Sequence, residues 1–249
     1  MQHKYCIIQH FKQKHCINME HIQQPMAVIF DMDGVIIDSN PVIIKAWKNF
    51  FDSQNITLTD EQFNHYIFGR TASDTLRMVY GKPLEADVLA EYCTFLNSEV
   101  GLFYETESKL VPGITEFVKA LAAHNIPVAI ATSAPRKNVD LVLKLAGISD
   151  LFKVITDASQ VQFSKPHPEV YLKTAERLMI DPSRCVVFED SFSGIAAAKA
   201  AGMMVIGLST THTANELSPE TEEVISDFSD IDAQHIINLF NDQYDAIGK

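Results

Sequence analysis

The chain has 249 residues, 47% hydrophobic and 21% charged, with a net charge of −12. That size and apolar content suffice for one full domain plus a smaller inserted one, which excludes a disordered chain. The acidic balance excludes the positive face that phosphate-backbone binding requires, so nucleic acid is not an expected partner. It also repels anionic metabolites at long range, so a phosphate site here would need a metal and a few well-placed cations.

Cys6, Cys16, Cys93 and Cys185 show no paired C-x-x-C spacing, which reads as free thiols in a reducing, cytoplasmic setting. No apolar run reaches the roughly 20 residues that cross a bilayer, and no signal-peptide pattern opens the chain, so no membrane partner is expected.

Residues 1–25 are rich in His, Gln and Lys and lack periodicity, and they read as an appendage. Its Cys6, His10, His15, Cys16 and His21 fit no zinc spacing. Residues 27–30 form a short apolar run ending in polar turn residues, as in a buried parallel strand. Similar runs follow at 127–131, 153–156, 185–188 and 204–208, separated by helical stretches at 113–123, 138–146, 168–179 and 194–201. Gly147 and Gly202 stand at helix ends. This alternation predicts an α/β fold built on a doubly wound, Rossmann-like parallel sheet. Residues 41–109 break it, running through Trp47, Phe50, Phe51, Phe63, Leu76, Met78, Leu89 and Leu96 with no strand. They predict an all-helical cap inserted into a core of 26–40 and 110–249, near the carboxyl ends of the strands, where such sheets bind ligands. The three aromatics Trp47, Phe50 and Phe51 are expected in the cap's own core or its hinge contact rather than on a partner surface.

Four short motifs fall at predicted strand ends. Asp31-Met32-Asp33-Gly34 puts two carboxylates on one side of the first strand's exit. Such a pair can hold a divalent cation, or divide nucleophilic attack and proton transfer between them. The same residues also suit an acidic turn. A calcium loop is excluded, because its sixth and twelfth positions would be Ile36 and Val42. Thr132 and Ser133 supply hydroxyls suited to phosphate oxygens, although strand ends often carry them for capping alone. Lys165, between Ser164 and Pro166, offers an ammonium on a stiff loop that could balance phosphoryl charge, and His167 reads as a loop residue. Glu189-Asp190-Ser191 ends the fourth strand. Asp190 would complete a site for a hard cation, with Glu189 assisting directly or through water, and Ser193 reads as the N-cap of the next helix.

In this order the motifs Asp-x-Asp-Gly, Thr-Ser, Lys-Pro and Glu-Asp-Ser-x-x-Gly resemble those of the haloacid dehalogenase superfamily. The resemblance spans residues 26–240, and the helical insertion is similar to the cap of its β-phosphoglucomutase-like branch. It implies that Asp31 is the nucleophile and Asp33 the general acid and base. It implies further that Asp31, the Asp33 carbonyl and Asp190 bind Mg2+, and that Thr132 and Lys165 steady the phosphoryl group. The mutase branch has a His and an Arg where this chain has Ile43 and Ala72, so hydrolysis is expected over mutase activity, with Arg70 able to clamp a substrate anion from a shifted position. The expected protein is a monomeric phosphatase for a small phosphorylated metabolite, such as a sugar phosphate. The alternatives are a β-phosphoglucomutase-type isomerase, an inorganic pyrophosphatase and a non-enzymatic phosphometabolite sensor.

Overall fold

The computed structural model describes residues 26–247, so the first 25 residues, with their His and Cys groups, lie outside the described part. After β1 (Ala27–Phe30) comes a two-residue strand, β2 (Ile37–Asp38), then four helices: α1 (Asn40–Ser53), α2 (Asp60–Ile67), α3 (Ala72–Tyr80) and α4 (Ala86–Thr106). The chain returns through β3 (Lys109–Leu110) and then alternates: α5 (Ile114–Ala123), β4 (Val128–Ala131), α6 (Arg136–Ala146), β5 (Val154–Thr156), α7 (Glu169–Leu178), β6 (Cys185–Glu189), α8 (Phe192–Ala200) and β7 (Met204–Leu208). It closes with α9 (Ala214–Leu217), β8 (Glu223–Ile225) and α10 (Ala233–Ile247).

Six strands form a parallel sheet in the order β5-β4-β1-β6-β7-β8. Side chains alternate across a strand, so each face of the sheet has its own core. Val28 and Phe30 of β1 join the cluster containing Phe117, Val186, Phe188 and Phe228, whereas Ala27 and Ile29 join Val170, Tyr171, Val187 and Ile195. Phe30 stacks on Phe188 at a centroid distance of 5.2 Å. Each large apolar side chain so buried contributes about 1.5–3 kcal/mol. The chain leaves β1 toward β4 on one side and later returns to β6 on the other. The strand order therefore reverses beside β1, and a crevice opens at its carboxyl end.

The insertion is helical, as its sequence predicts, and has a separate core of Trp47, Phe50, Phe51, Phe63, Ile67, Leu76 and Leu96. Local chemistry sets its helix ends. Pro41 sits in the first turn of α1, where its missing N–H costs nothing. Thr59 and Gln62 form a reciprocal capping box on α2, and Thr71 caps α3, which ends at Gly81 in the left-handed conformation. The two connections between insertion and core pair as an antiparallel ribbon, Ile37 with Leu110 and Asp38 with Lys109. This ribbon and β8 have no counterpart among the predicted strands. They are two or three residues long and only partly buried, so they lack the continuous apolar run that marks the other strands.

Candidate active site

β1 delivers Asp31 to the crevice, where it is 3% exposed. Directly after it the chain turns sharply, with Gly34 at φ +74°. A Cβ on Gly34 would lie 1.8 Å from Asp190 Oδ2, so this glycine supplies both the turn and the room for a carboxylate from the neighbouring strand. Asp190 follows β6, which pairs with β1 in register, Phe30 opposite Phe188. The sheet thus sets the two aspartates side by side.

Lys165 is 1% exposed, and its Nζ lies 2.9 Å from Asp31 Oδ1 and 2.6 Å from Glu189 Oε1. Burial works against its charge, but the two carboxylates outweigh burial and hold its pKa above the usual value. Glu189 is saturated by protein donors. Its Oε1 accepts from Lys165 and from the Tyr171 hydroxyl at 3.0 Å, and its Oε2 accepts from the amides of Asp190 and Ser191 and from Ser191 Oγ. A Cβ on Gly194 would fall 1.6 Å from Glu189 Oε1, so a side chain there would expel this carboxylate. The N-cap of α8 is Ser191, whose Oγ accepts from Gly194 N at 3.1 Å. The expectation of Ser193 in that role is corrected, because Ser193 instead donates to Phe68 O of the insertion at 3.0 Å.

Carboxylate oxygens of Asp31, Glu189 and Asp190, all buried, lie within 4.8 Å of one another and could hold a metal ion. Two further observations fit a cation there. Among the described residues Asp31 Oδ1 has no aligned hydrogen-bond donor and meets only the Lys165 charge. In addition, one ammonium faces three carboxylates. Burial, offset in part by Lys165, raises the Asp31 pKa to about 7, and burial followed by the charges of Glu189 and Asp31 raises that of Asp190 well above the carboxylate range. A site so short of positive charge suits a hard divalent cation with oxygen ligands.

Asp33 lies two residues beyond Asp31. Its Oδ1 accepts from Ser39 Oγ at 2.6 Å and from the Tyr104 hydroxyl at 2.5 Å. Burial raises its pKa, partly offset by these two donors. Thr132 is buried, and its Oγ1 accepts from Ala134 N at 3.1 Å, which leaves its own proton to donate. Asp31, Asp33, Asp190 and Thr132 line one cavity of about 80 Å³. Ile43, Trp47 and Tyr104 of the insertion close it from above. Ser133 and Arg70 also border the cavity, but both are engaged by backbone carbonyls, Ser133 across the seam between core and insertion and Arg70 both within the insertion and across the seam. Ser133 donates to Gly69 O at 2.9 Å, and Arg70 donates to His65 O at 3.2 Å and to Lys165 O at 3.4 Å.

The structure therefore brings the four motifs together at one sheet edge. Sequence reasoning missed Ser39, Tyr104, Tyr171 and Thr211, the last of which donates to Asp190 Oδ2. Tyr104 stands 71 residues from Asp33, and no local pattern connects the two. Ser39 did carry a signal, since a serine directly before a proline-opened helix invites a check of what its hydroxyl bonds.

A buried aspartate at the carboxyl end of the central strand, a second two residues on, a lysine held by ion pairs and a third aspartate from the next strand define an enzyme-like site built on carboxylates at the switch point of an α/β sheet. The match to known proteins makes this specific: residues 28–208 fit the model of the haloacid dehalogenase-like hydrolases, and the chain belongs to that family. Relatives include a phosphorylated carbohydrates phosphatase of Thermotoga maritima, 33% identical over 71% of this chain and 82% of its own length. Another is hexitol phosphatase B of Escherichia coli, 29% identical over 78% of this chain and 88% of its own. Among solved structures, a family IA, variant 3 hydrolase of this family from Entamoeba histolytica superposes with a TM-score of 0.76 at 28% identity, covering 87% of this chain and 99% of that one. A β-phosphoglucomutase from Clostridium difficile shares the fold, with a TM-score of 0.77 at 24% identity, covering 88% and 99%.

Proposed function

We propose that the protein is a Mg2+-dependent phosphatase that hydrolyses a small phosphorylated metabolite, a sugar or polyol phosphate, through an aspartyl-phosphate on Asp31. The observation that carries this reading is the pair of buried Asp31 and half-buried Asp33 lining one cavity, with Lys165 fixed 2.9 Å from Asp31.

Asp31 and Asp190, with the backbone carbonyl of Asp33, are the residues that would hold magnesium. When bound, the ion offsets negative charge on the phosphoryl oxygens and on the carboxylates around them. In the first step a carboxylate oxygen of Asp31 attacks phosphorus, the bond from phosphorus to the ester oxygen breaks, and the leaving alkoxide takes the proton of Asp33. Lys165 and the Thr132 hydroxyl steady the transferring group. In the second step Asp33 removes a proton from water, the oxygen attacks phosphorus, and the bond to Asp31 breaks. Inorganic phosphate leaves, and both aspartates return to their starting state. Glu189 acts on this reading by holding Lys165 and the loop that carries Asp190, because its oxygens already accept five protein donors.

Hydrolysis is favoured over phosphosugar isomerisation because Ile43 and Ala72 both line the cavity and neither can bind a second phosphate. Arg70 spends two donors on backbone carbonyls. Asn40, Asn97 and Asn138 also line the cavity; the amide nitrogens of Asn40 and Asn138 donate to Thr211 Oγ1 and Asn97 O, which leaves their side-chain oxygens and the Asn97 amide to suit the hydroxyls of a small polyol. The test is phosphate release from a panel of sugar phosphates, polyol phosphates, nucleotides and pyrophosphate, with magnesium and with chelator. Metal-dependent release that favours small sugar or polyol esters is expected. Conversion of a β-hexose 1-phosphate to its 6-phosphate without phosphate release would establish the isomerase instead, and preferred release from pyrophosphate would establish a pyrophosphatase.

A further inference from the structure

Tyr104 lies near the end of α4, 2% exposed and packed in the main core beside Val100, Phe103 and Val111. Its hydroxyl reaches out of that apolar setting to Asp33 Oδ1 at 2.5 Å. Ser39 is fully buried at the N-cap of α1, yet makes no capping bond and donates to the same oxygen at 2.6 Å. An N-cap serine that forgoes its helix departs from the usual local rule, and such departures mark sites where another demand prevails. The two hydroxyls come from the two connections between core and insertion, Ser39 one residue after β2 and Tyr104 five before β3. Each connection thus contributes one donor to one carboxylate oxygen.

We propose that Tyr104, with Ser39, is a positioning residue that fixes the Asp33 carboxyl for proton transfer. With Oδ1 accepting two hydroxyl protons, a proton carried by Asp33 resides on Oδ2, which has no hydrogen bond among the described residues. That oxygen is then the one presented to the ester.

The inference rests on the phosphatase reading, and its test uses leaving groups. An alkyl phosphate needs its ester oxygen protonated as it departs, whereas p-nitrophenyl phosphate has a leaving group stable as an anion. Because kcat/KM reports the step in which that group leaves, Tyr104→Phe should lower kcat/KM roughly 10–100-fold for an alkyl phosphate, a part of the 10²–10⁴ that general acids supply. The aryl ester should change less than about threefold. Ser39→Ala should show the same selectivity, and Ser39→Thr, which keeps the hydroxyl, should restore alkyl turnover; these variants carry the test if Tyr104→Phe does not fold. Equal losses on both esters, or no loss on either, overturn the positioning role while leaving the phosphatase reading intact. A wild type inactive on every ester removes that reading and this inference with it.

Discussion

Glu189→Gln separates an anchoring carboxylate from one that serves only as a metal ligand. Glutamine keeps the size of the side chain but turns one oxygen into an amide donor. If the amide nitrogen faces Oε1's partners, it meets Lys165 Nζ and the Tyr171 hydroxyl; if it faces those of Oε2, it meets two backbone amides and Ser191 Oγ. Either orientation sets the new donor against at least two existing ones in a fully buried place. Each unsatisfied buried group costs about 1–3 kcal/mol, at least two groups are left so, and Lys165 keeps only Asp31 as a carboxylate partner within ion-pair distance among the described residues. A loss of about 3–5 kcal/mol is therefore expected, which for a chain of this size lowers Tm by about 6–20 °C. The assay is thermal unfolding in excess chelator, where no metal contributes. Unchanged or raised Tm for Glu189→Gln under those conditions would refute the anchoring argument, because removing a pure metal ligand relieves repulsion among the three carboxylates.

Magnesium should stabilise the protein more at about pH 8 than at about pH 5.5. Burial raises the Asp31 pKa to about 7 and raises that of Asp190 well above the usual carboxylate range, whereas unfolded aspartates ionise near pH 4. Across that interval the folded state binds more protons than the unfolded one, so this site's contribution to stability falls as pH rises, and a dication that needs ionised carboxylates competes with those protons. At a hundredfold excess over Kd the gain is about 2.7 kcal/mol, read as a rise in Tm, and an equal or larger gain at the lower pH contradicts the assignment. Asp31→Asn should reduce turnover by at least roughly 10³-fold at saturating magnesium. Asp190→Ala should instead raise the magnesium needed for half activity by at least about tenfold, about 1.4 kcal/mol, with steady-state rates across a magnesium titration distinguishing the two. Gly194→Ala would place a methyl 1.6 Å from Glu189 Oε1 and is expected to unfold at lower temperature than Glu189→Gln, since it displaces the whole carboxylate; a near-wild-type Tm counts against that geometry.

The sheet and the motif positions were legible in the sequence because both rest on local chemistry. The runs that became β1, β4, β6 and β7 are buried on both faces, and Asp31, Thr132 and Asp190 stand just past the ends of such strands. Parallel pairing in register then brings them together without any further signal. The helices of the insertion were equally readable from their aromatic spacing. What stayed hidden depends on the approach of distant segments. The hydroxyl of Tyr104 reads as one more apolar-face aromatic until α4 is placed beside Asp33. Ser193 stands just before the Ala-rich run, but α8 begins at Phe192 and Ser191, two residues earlier, caps it through Gly194 N, which frees Ser193 to reach Phe68. Ser133 and Arg70 read as substrate contacts because only their type and neighbourhood were visible; their bonds to the carbonyls of Gly69, His65 and Lys165 had no local signal.

The central claim is that Asp31 becomes covalently phosphorylated during turnover. The most direct measurement mixes protein with an accepted phosphate ester and magnesium, quenches within a single turnover, reduces any acyl phosphate with borohydride and locates the modified residue by peptide mass spectrometry. Homoserine at position 31, absent in Asp31→Asn and absent without substrate, is the expected result. Turnover that proceeds with Asp31 unmodified at every quench time, or with the label on another residue, contradicts the account.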